Sequence, residues 1–228
     1  MPNLLSVLLS YTATLLGAGL AVLYVLTGMT PVQAQDSSDF YLADNGVTVM
    51  CPDADVGDTG EVGGTTYTKR GRNGLLDLKS EDENNPAFAT TCTSGIENMK
   101  RIFQDGFVSS FNQDIGSWDV SDVINMRLMF SGAESFNQDI GDWDVSNVTN
   151  MSWMFLRAES FNQDIGAWDV SNVTNINRMF VGAGSFNQDI GGWDVSNVTS
   201  MWAIFSGANS FNQDIGGWDV SNVSDMRS

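Results

Sequence analysis

The aspartates are the residues of this chain whose type and spacing could do chemistry. Two sets recur every 25 residues, namely Asp119, Asp144, Asp169, Asp194 and Asp219, and Asp114, Asp139, Asp164, Asp189 and Asp214. Carboxylates can bind cations or act as the acid pair of a glycosidase. However, an active site of that kind needs two acids in unlike environments, whereas these acids recur in nearly identical local sequences. The chain also has no histidine. We therefore predict that it is not an enzyme.

Stacked repeats would bring the aspartates into columns. If each unit forms one coil, the Asp119 series becomes a ladder on the strand face with a spacing of about 5 Å. Neighbouring carboxylates then repel each other by about 1 kcal/mol in water. Hydrogen bonds from turn N–H groups, solvent screening or bound cations could each offset this repulsion, in that order of preference. No cofactor is predicted, apart from a stabilising Ca²⁺ as the last of these alternatives.

The unit that positions these residues reads SFNQDIGAWDVSNVTN from Ser160, and it occurs five times. Its apolar positions are Phe161, Ile165, Trp168, Val170, Val173, Ile176, Met179, Phe180 and Ala183. Alternation around Trp168 predicts a short strand, and the spacing from Val173 onward predicts a short helix. Burying these side chains does not outweigh the entropy of ordering one unit, so stability requires stacked neighbours. We predict an α/β solenoid with the repeated tryptophans in its core.

Comparison of the copies separates a uniform face from a variable one. The strand face changes only at the position held by Ala167. The face predicted to be helical changes at the pairs Arg127–Leu128, Ser152–Trp153, Asn177–Arg178 and Trp202–Ala203. A uniform strand face suits a repetitive ligand or none. Trp153 and Trp202 make the variable face an alternative contact surface.

The sequence before the repeats indicates export. Residues 1–34 are mostly apolar and end in Val32-Gln33-Ala34, which predicts a signal peptide cleaved after Ala34. An uncleaved anchor is the alternative. Either reading places the repeats outside the cell or on its surface. In an exported chain the two cysteines, Cys51 and Cys92, are expected to form a disulfide, with two buried thiols as the alternative.

The rest of the chain divides into a cap and an array. Residues 35–91 are predicted to form a small β-rich cap, in which residues 47–50 pair with residues 65–68 and residues 71–86 form a surface loop. Residues 92–110 form a degenerate half repeat of the kind that caps an array. Residues 111–228 hold five repeats, the last incomplete. Because the sequence ends within a repeat unit, we expect that the natural chain continues, or that the protein self-associates through its carboxy-terminal end.

The assembled phrase FNQDIGxWDVSNVTNM, followed by Met-Phe-x-Gly-Ala, resembles the BspA-type leucine-rich repeat surface proteins of bacteria, the DUF285 repeat. The resemblance implies a right-handed leucine-rich-repeat-type solenoid, secreted or on the cell surface, that is associated with adhesion and protein binding. The net charge of −18 disfavours nucleic acid as a partner. We therefore expect a protein-binding or adhesion module, with a structural spacer or self-assembling surface-layer unit as the alternative.

Overall fold

The computed structural model describes residues 39–104 and 108–227, which belong to one compact unit, Ser37–Ser228. The predicted export segment, residues 1–34, lies outside the described residues. The described chain begins with two small sheets. In the first, β1 (Tyr41–Leu42) pairs antiparallel with β2 (Val49–Met50). In the second, β4 (Thr65–Lys69) lies between β3 (Thr59–Val62), to which it is antiparallel, and β5 (Thr91–Cys92), to which it is parallel.

Two local predictions for this region are wrong. Residues 47–50 and 65–68 do contribute strands, but β2 pairs with β1 and β4 with β3. Tight turns with positive φ at Gly46 and at Gly63 and Gly64 favour pairing between sequence neighbours. Residues 71–86 are not a loop throughout, because they contain the helix α1 (Arg72–Glu81).

The two cysteines form the predicted disulfide. Cys51 and Cys92 are both fully buried, with their Cα atoms 6.3 Å apart. They lie in a small apolar cluster with Phe40, Val49 and Ala54. The bond therefore joins the second sheet, through β5, to the residue that follows β2.

From residue 93 onward the described backbone consists of turns joined by isolated parallel bridges, one for each 25-residue unit. The bridged residues are Asn98, Asn125, Asn150, Asn175, Ser200 and Asp225. The segment predicted as a short strand around Trp168 forms no strand, and the segment predicted as a short helix forms no helix. In the second segment every other N–H donates to the next coil, as when Phe130 N–H donates to the Met154 carbonyl at 2.9 Å. The N–H groups between them close turns within their own coil, as when Met129 N–H donates to the Met126 carbonyl. A positive φ at the sixth residue of such a segment, 54° at Arg178 in the segment that starts at Val173 and 61° at the equivalent Leu128, also interrupts helical geometry.

The apolar residues of successive units form continuous columns. Trp168 lies 6.5 Å from Trp193, which lies 6.4 Å from Trp218, and these rings are almost parallel. Phe136, Phe161 and Phe186 stack in the same way. All five repeated tryptophans are buried, and each indole N–H donates to a backbone carbonyl of an earlier element. These tryptophans are core residues, because their rings pack against apolar side chains and their N–H groups are hydrogen-bonded inside the stack.

The region before the first coil supplies the partners that an earlier coil would supply. Phe88 offers its carbonyl to Trp118 Nε1, and Asn84 Oδ1 accepts the Asn112 N–H. From α1, Arg72 donates to the carbonyls of Asn98 and Lys100. These contacts satisfy polar groups at the start of the stack, where no coil precedes. The cap therefore includes α1 as well as the predicted half repeat.

Candidate interaction surfaces

The first Asp column, the predicted ladder of Asp119, Asp144, Asp169, Asp194 and Asp219, is bound into its own turns. Each carboxylate accepts the backbone N–H of the serine two residues later, at 3.0 to 3.1 Å. The last four side chains are exposed. Asp119 is buried, and its Oδ2 has no hydrogen-bond partner among the described residues. Apart from Asp119, the ladder therefore presents one row of carboxylates to solvent.

These hydrogen bonds favour the charged form of three of the exposed carboxylates, Asp169, Asp194 and Asp219. The side chain of Ser171, and then its backbone N–H, lower the pKa of Asp169, against a weak opposing effect of Asp194. Ser196 lowers the pKa of Asp194 in the same order. For Asp219 the backbone N–H of Ser221 is the larger cause and the serine side chain the smaller. Donors within the chain thus offset the repulsion along the column.

The second Asp column uses the same turn chemistry with glycine. Its members accept the N–H of a glycine two residues later at 2.8 to 3.0 Å, as when Gly166 donates to Asp164. A Cβ at Gly166 would lie 2.5 Å from the Asp189 carbonyl oxygen of the next coil. Glycine is therefore required by the closeness of the two backbones. Three acids, Asp114, Asp139 and Asp142, line a cavity of about 310 Å³ beside Tyr67.

No arrangement of three or more acidic or cysteine side chains in the described ranges could hold a metal ion. The Ca²⁺ alternative therefore has no assembled site to support it. The acids of each column lie in successive coils and make the same local bonds, which suits a structural role in the turns.

The asparagines and threonines of the uniform face bond the coils to one another. Asn172 Nδ2 donates to the Ser146 carbonyl at 2.8 Å, and the Thr174 hydroxyl donates to the Thr149 carbonyl at 3.2 Å. Asn162 Oδ1 accepts the Asn187 N–H at 2.9 Å. Equivalent bonds recur from coil to coil. The uniformity of this face follows from these shared bonds, because a change at one position would leave its neighbour unsatisfied.

The variable face carries a different structure, which we call the Arg–Trp column: Arg127, Trp153, Arg178, Trp202 and Arg227. Trp153 lies between Arg127, whose guanidinium is 4.5 Å from the ring centre, and Arg178, at 6.0 Å. Trp202 lies between Arg178, at 3.8 Å, and Arg227, at 5.4 Å. Both indoles are half-buried. Cations and aromatic rings thus alternate over five coils in cation–π geometry.

The arginines of this column were missed in the sequence analysis, although Trp153 and Trp202 were singled out. Burial, and then the nearby charge of Arg101, lower the pKa of Arg127. The available signal was that three of the four basic residues after Phe111 occupy the same two variable positions as the tryptophans. The signal becomes visible only when the repeats are aligned in the order in which their coils stack.

Among the residues that the structure describes, no helix is long and apolar enough to cross a membrane. A family model described as "Mycoplasma protein of unknown function, DUF285" matches residues 78–180 and again residues 161–228. No curated protein and no solved structure matches the chain. The two family matches together cover residues 78–228, which include the end of the helix α1 and all five repeats. The chain therefore belongs to the DUF285 family.

Proposed function

We propose that the chain is an exported cell-surface repeat protein that acts as a protein-binding or adhesion module, without catalysis, and that it binds through the Arg–Trp column. The observation that carries the proposal is the contrast in hydrogen bonding on its surface. On the uniform face the hydrogen-bond donors bond to neighbouring coils, whereas Arg127 and Arg178 have no ion pair within the described ranges. The apolar residues 1–34 and the Cys51–Cys92 disulfide support export.

We also infer that the array is a right-handed leucine-rich-repeat-type solenoid, as the resemblance to BspA-type surface proteins implies. Supporting observations are the single bridge in each coil and the columns of stacked rings. A crystal structure of residues 35–228 tests the handedness of the coils. Separate globular units or a left-handed array would contradict this proposal.

The proposed function is tested by binding of residues 35–228 to whole cells. One variant combines Arg178→Ala with Trp202→Asn, which are the residues that other copies carry at these positions. The matched variant combines Asp144→Asn with Asp169→Asn on the uniform face. We expect the first variant to lose binding and the second to keep it, with both folded and the first melting only slightly below the parent protein. The reverse result would move the function to the first Asp column, and no binding by the parent would overturn the proposal.

The second candidate function is a structural spacer or self-assembling surface unit. The near-identity of the repeats and their continuous columns of stacked rings favour it, because a stack of like coils can pack against the coils of a second copy. Sedimentation across a range of concentrations tests this, with Phe205→Glu as the variant expected to remain monomeric. A parent protein that is itself monomeric at every concentration would exclude this candidate.

A further inference from the structure

Two of the three guanidinium groups of the Arg–Trp column lack a counter-ion within the described residues, although the chain carries a net charge of −18. Within the described residues, Arg127 and Arg178 make neither a side-chain hydrogen bond nor a salt bridge. Only Arg227 is paired, with Asp225 at 2.8 Å. Arg157 also lacks a salt bridge within the described residues, so it is their alignment on the indoles that distinguishes Arg127 and Arg178. Their donors are available to another molecule.

The indoles of the column add further donors of the same kind. In the parts of the chain that the structure describes, the five core indoles each donate to a carbonyl, but those of Trp153 and Trp202 do not. Neither indole nitrogen is among the buried polar atoms that lack a hydrogen-bond partner. The column is therefore a row of N–H donors facing solvent, with no acceptor among the side chains that form it. Its partner must be rich in acceptors.

The faces of these indoles are already occupied. Arg127 and Arg178 flank the ring of Trp153, and Arg178 and Arg227 flank that of Trp202. Sugars and unpaired bases bind aromatic side chains by stacking on an open ring face. The edges of the stack remain available, and they present guanidinium and indole N–H groups. This geometry favours a partner that binds by carboxylates and carbonyls over a glycan or a nucleic acid.

The spacing of the cations selects the conformation of such a partner. Arg127 and Arg178 lie two coils apart, which corresponds to about 10 Å at the usual spacing between strands. In a polyproline II segment every third side chain lies on one face, with a repeat of about 9 Å. Carboxylates at every third residue would therefore meet alternate coils, and carbonyls between them would meet the indole N–H groups.

Resting on the proposed function, we propose that the Arg–Trp column binds an extended acidic segment of another protein. Carboxylates three residues apart on that segment pair with Arg127 and Arg178, and its backbone carbonyls accept from Trp153 and Trp202. The stacked indoles hold the guanidinium planes in place, which lowers the entropy cost of forming paired hydrogen bonds.

The test measures binding of residues 35–228 to fluorescent Asp-Pro-Pro and Asn-Pro-Pro repeat peptides by anisotropy. We expect binding of the Asp peptide only, and weaker binding at higher ionic strength. Arg178→Ala should weaken it about tenfold. The matched control is Arg157→Gly, which removes the same charge from a residue that stacks on neither indole and that is glycine in three other copies. Arg178→Ala uses the residue that follows in the next copy, Ala203, at a similar positive φ.

Each outcome decides the proposal. Binding of the Asp peptide that falls in Arg178→Ala and persists in Arg157→Gly supports it. Binding of polygalacturonate or heparin but not of the peptide would overturn it in favour of an anionic glycan. Equal losses of peptide affinity in both arginine variants would show that only the net charge matters, and would also overturn the proposal. If cells bind through the column but neither peptide nor glycan does, the acidic partner is rejected while the proposed function stands.

Discussion

The two Asp columns and the Arg–Trp column arise from the same 25-residue unit, yet they treat their polar groups in opposite ways. Every described carboxylate of the Asp columns accepts an N–H from its own turn. The guanidinium groups of Arg127 and Arg178 lie over aromatic rings and make no salt bridge within the described residues. The comparison teaches that repetition in a stacked protein is enforced where coils bond to each other, and that variation is permitted where side chains face outward. The predictions below test that distinction.

The largest expected effect is at Gly166. In Gly166→Ala the new Cβ would lie 2.5 Å from the Asp189 carbonyl oxygen, so the coils must separate locally. We expect a loss of about 2 to 3 kcal/mol in the free energy of unfolding, measured in urea. Gly192→Ala is the control, because a Cβ there meets no atom within 4 Å. Equal losses in both variants would show that close approach of coils is not what constrains the uniform face.

A smaller effect is expected at Asn162, whose side-chain oxygen accepts the Asn187 N–H at 2.9 Å and Gln188 Nε2 at 3.0 Å. Asn162→Ala leaves these donors without that acceptor. We expect a loss of about 1 to 2 kcal/mol in unfolding free energy. The control is Asn209→Ala, at an exposed position that is glutamate or glycine in other copies. If Asn162→Ala leaves the stability unchanged, hydrogen bonding between coils is not the reason why this sequence is repeated along the chain.

On the variable face the effect on stability should be smaller still. A double-mutant cycle with Arg178→Ala and Trp202→Asn isolates the contact of 3.8 Å between the guanidinium and the ring. We expect a coupling of about 0.5 to 1 kcal/mol in thermal or urea unfolding, as for other exposed cation–π pairs. A coupling as large as the loss in Gly166→Ala would mean that the Arg–Trp column is a structural element and would weaken the proposed function.

The smallest effect is expected from acid. Because the folded-state pKa values of Asp169, Asp194 and Asp219 lie below their ordinary value, their contribution to stability is present above about pH 4 and is lost as pH falls through the folded values. We expect the melting temperature to fall slightly more steeply below pH 4 in the parent than in a triple Asp→Asn variant. Asparagine can still accept the serine N–H, so the two proteins should melt alike at pH 7. Identical acid profiles would contradict the role of these bonds.

Much of the fold and part of the site could be predicted from residue types alone. The period of 25, the buried positions around Trp168 and the Cys51–Cys92 disulfide follow from composition and spacing. The short helix could not be excluded, because an apolar spacing of three and four residues is satisfied equally by a helix and by successive turns. The choice depends on where the N–H groups bond. In this protein every other N–H of the segment bonds to the next coil, and the rest close turns within their own coil.

The repeated residues, and hence the side chains that form the core and the Asp columns, can be identified from the sequence alone. The column formed by Arg127, Trp153 and Arg178, from three different repeats, depends on how the coils pack. Trp153 and Arg178 occupy the same position of the unit, whereas Arg127 occupies the position before it, so the column uses two neighbouring positions of the unit. Their contact exists because stacking places one coil directly beside the next, which brings side chains about 25 residues apart within the reach of cation–π attraction.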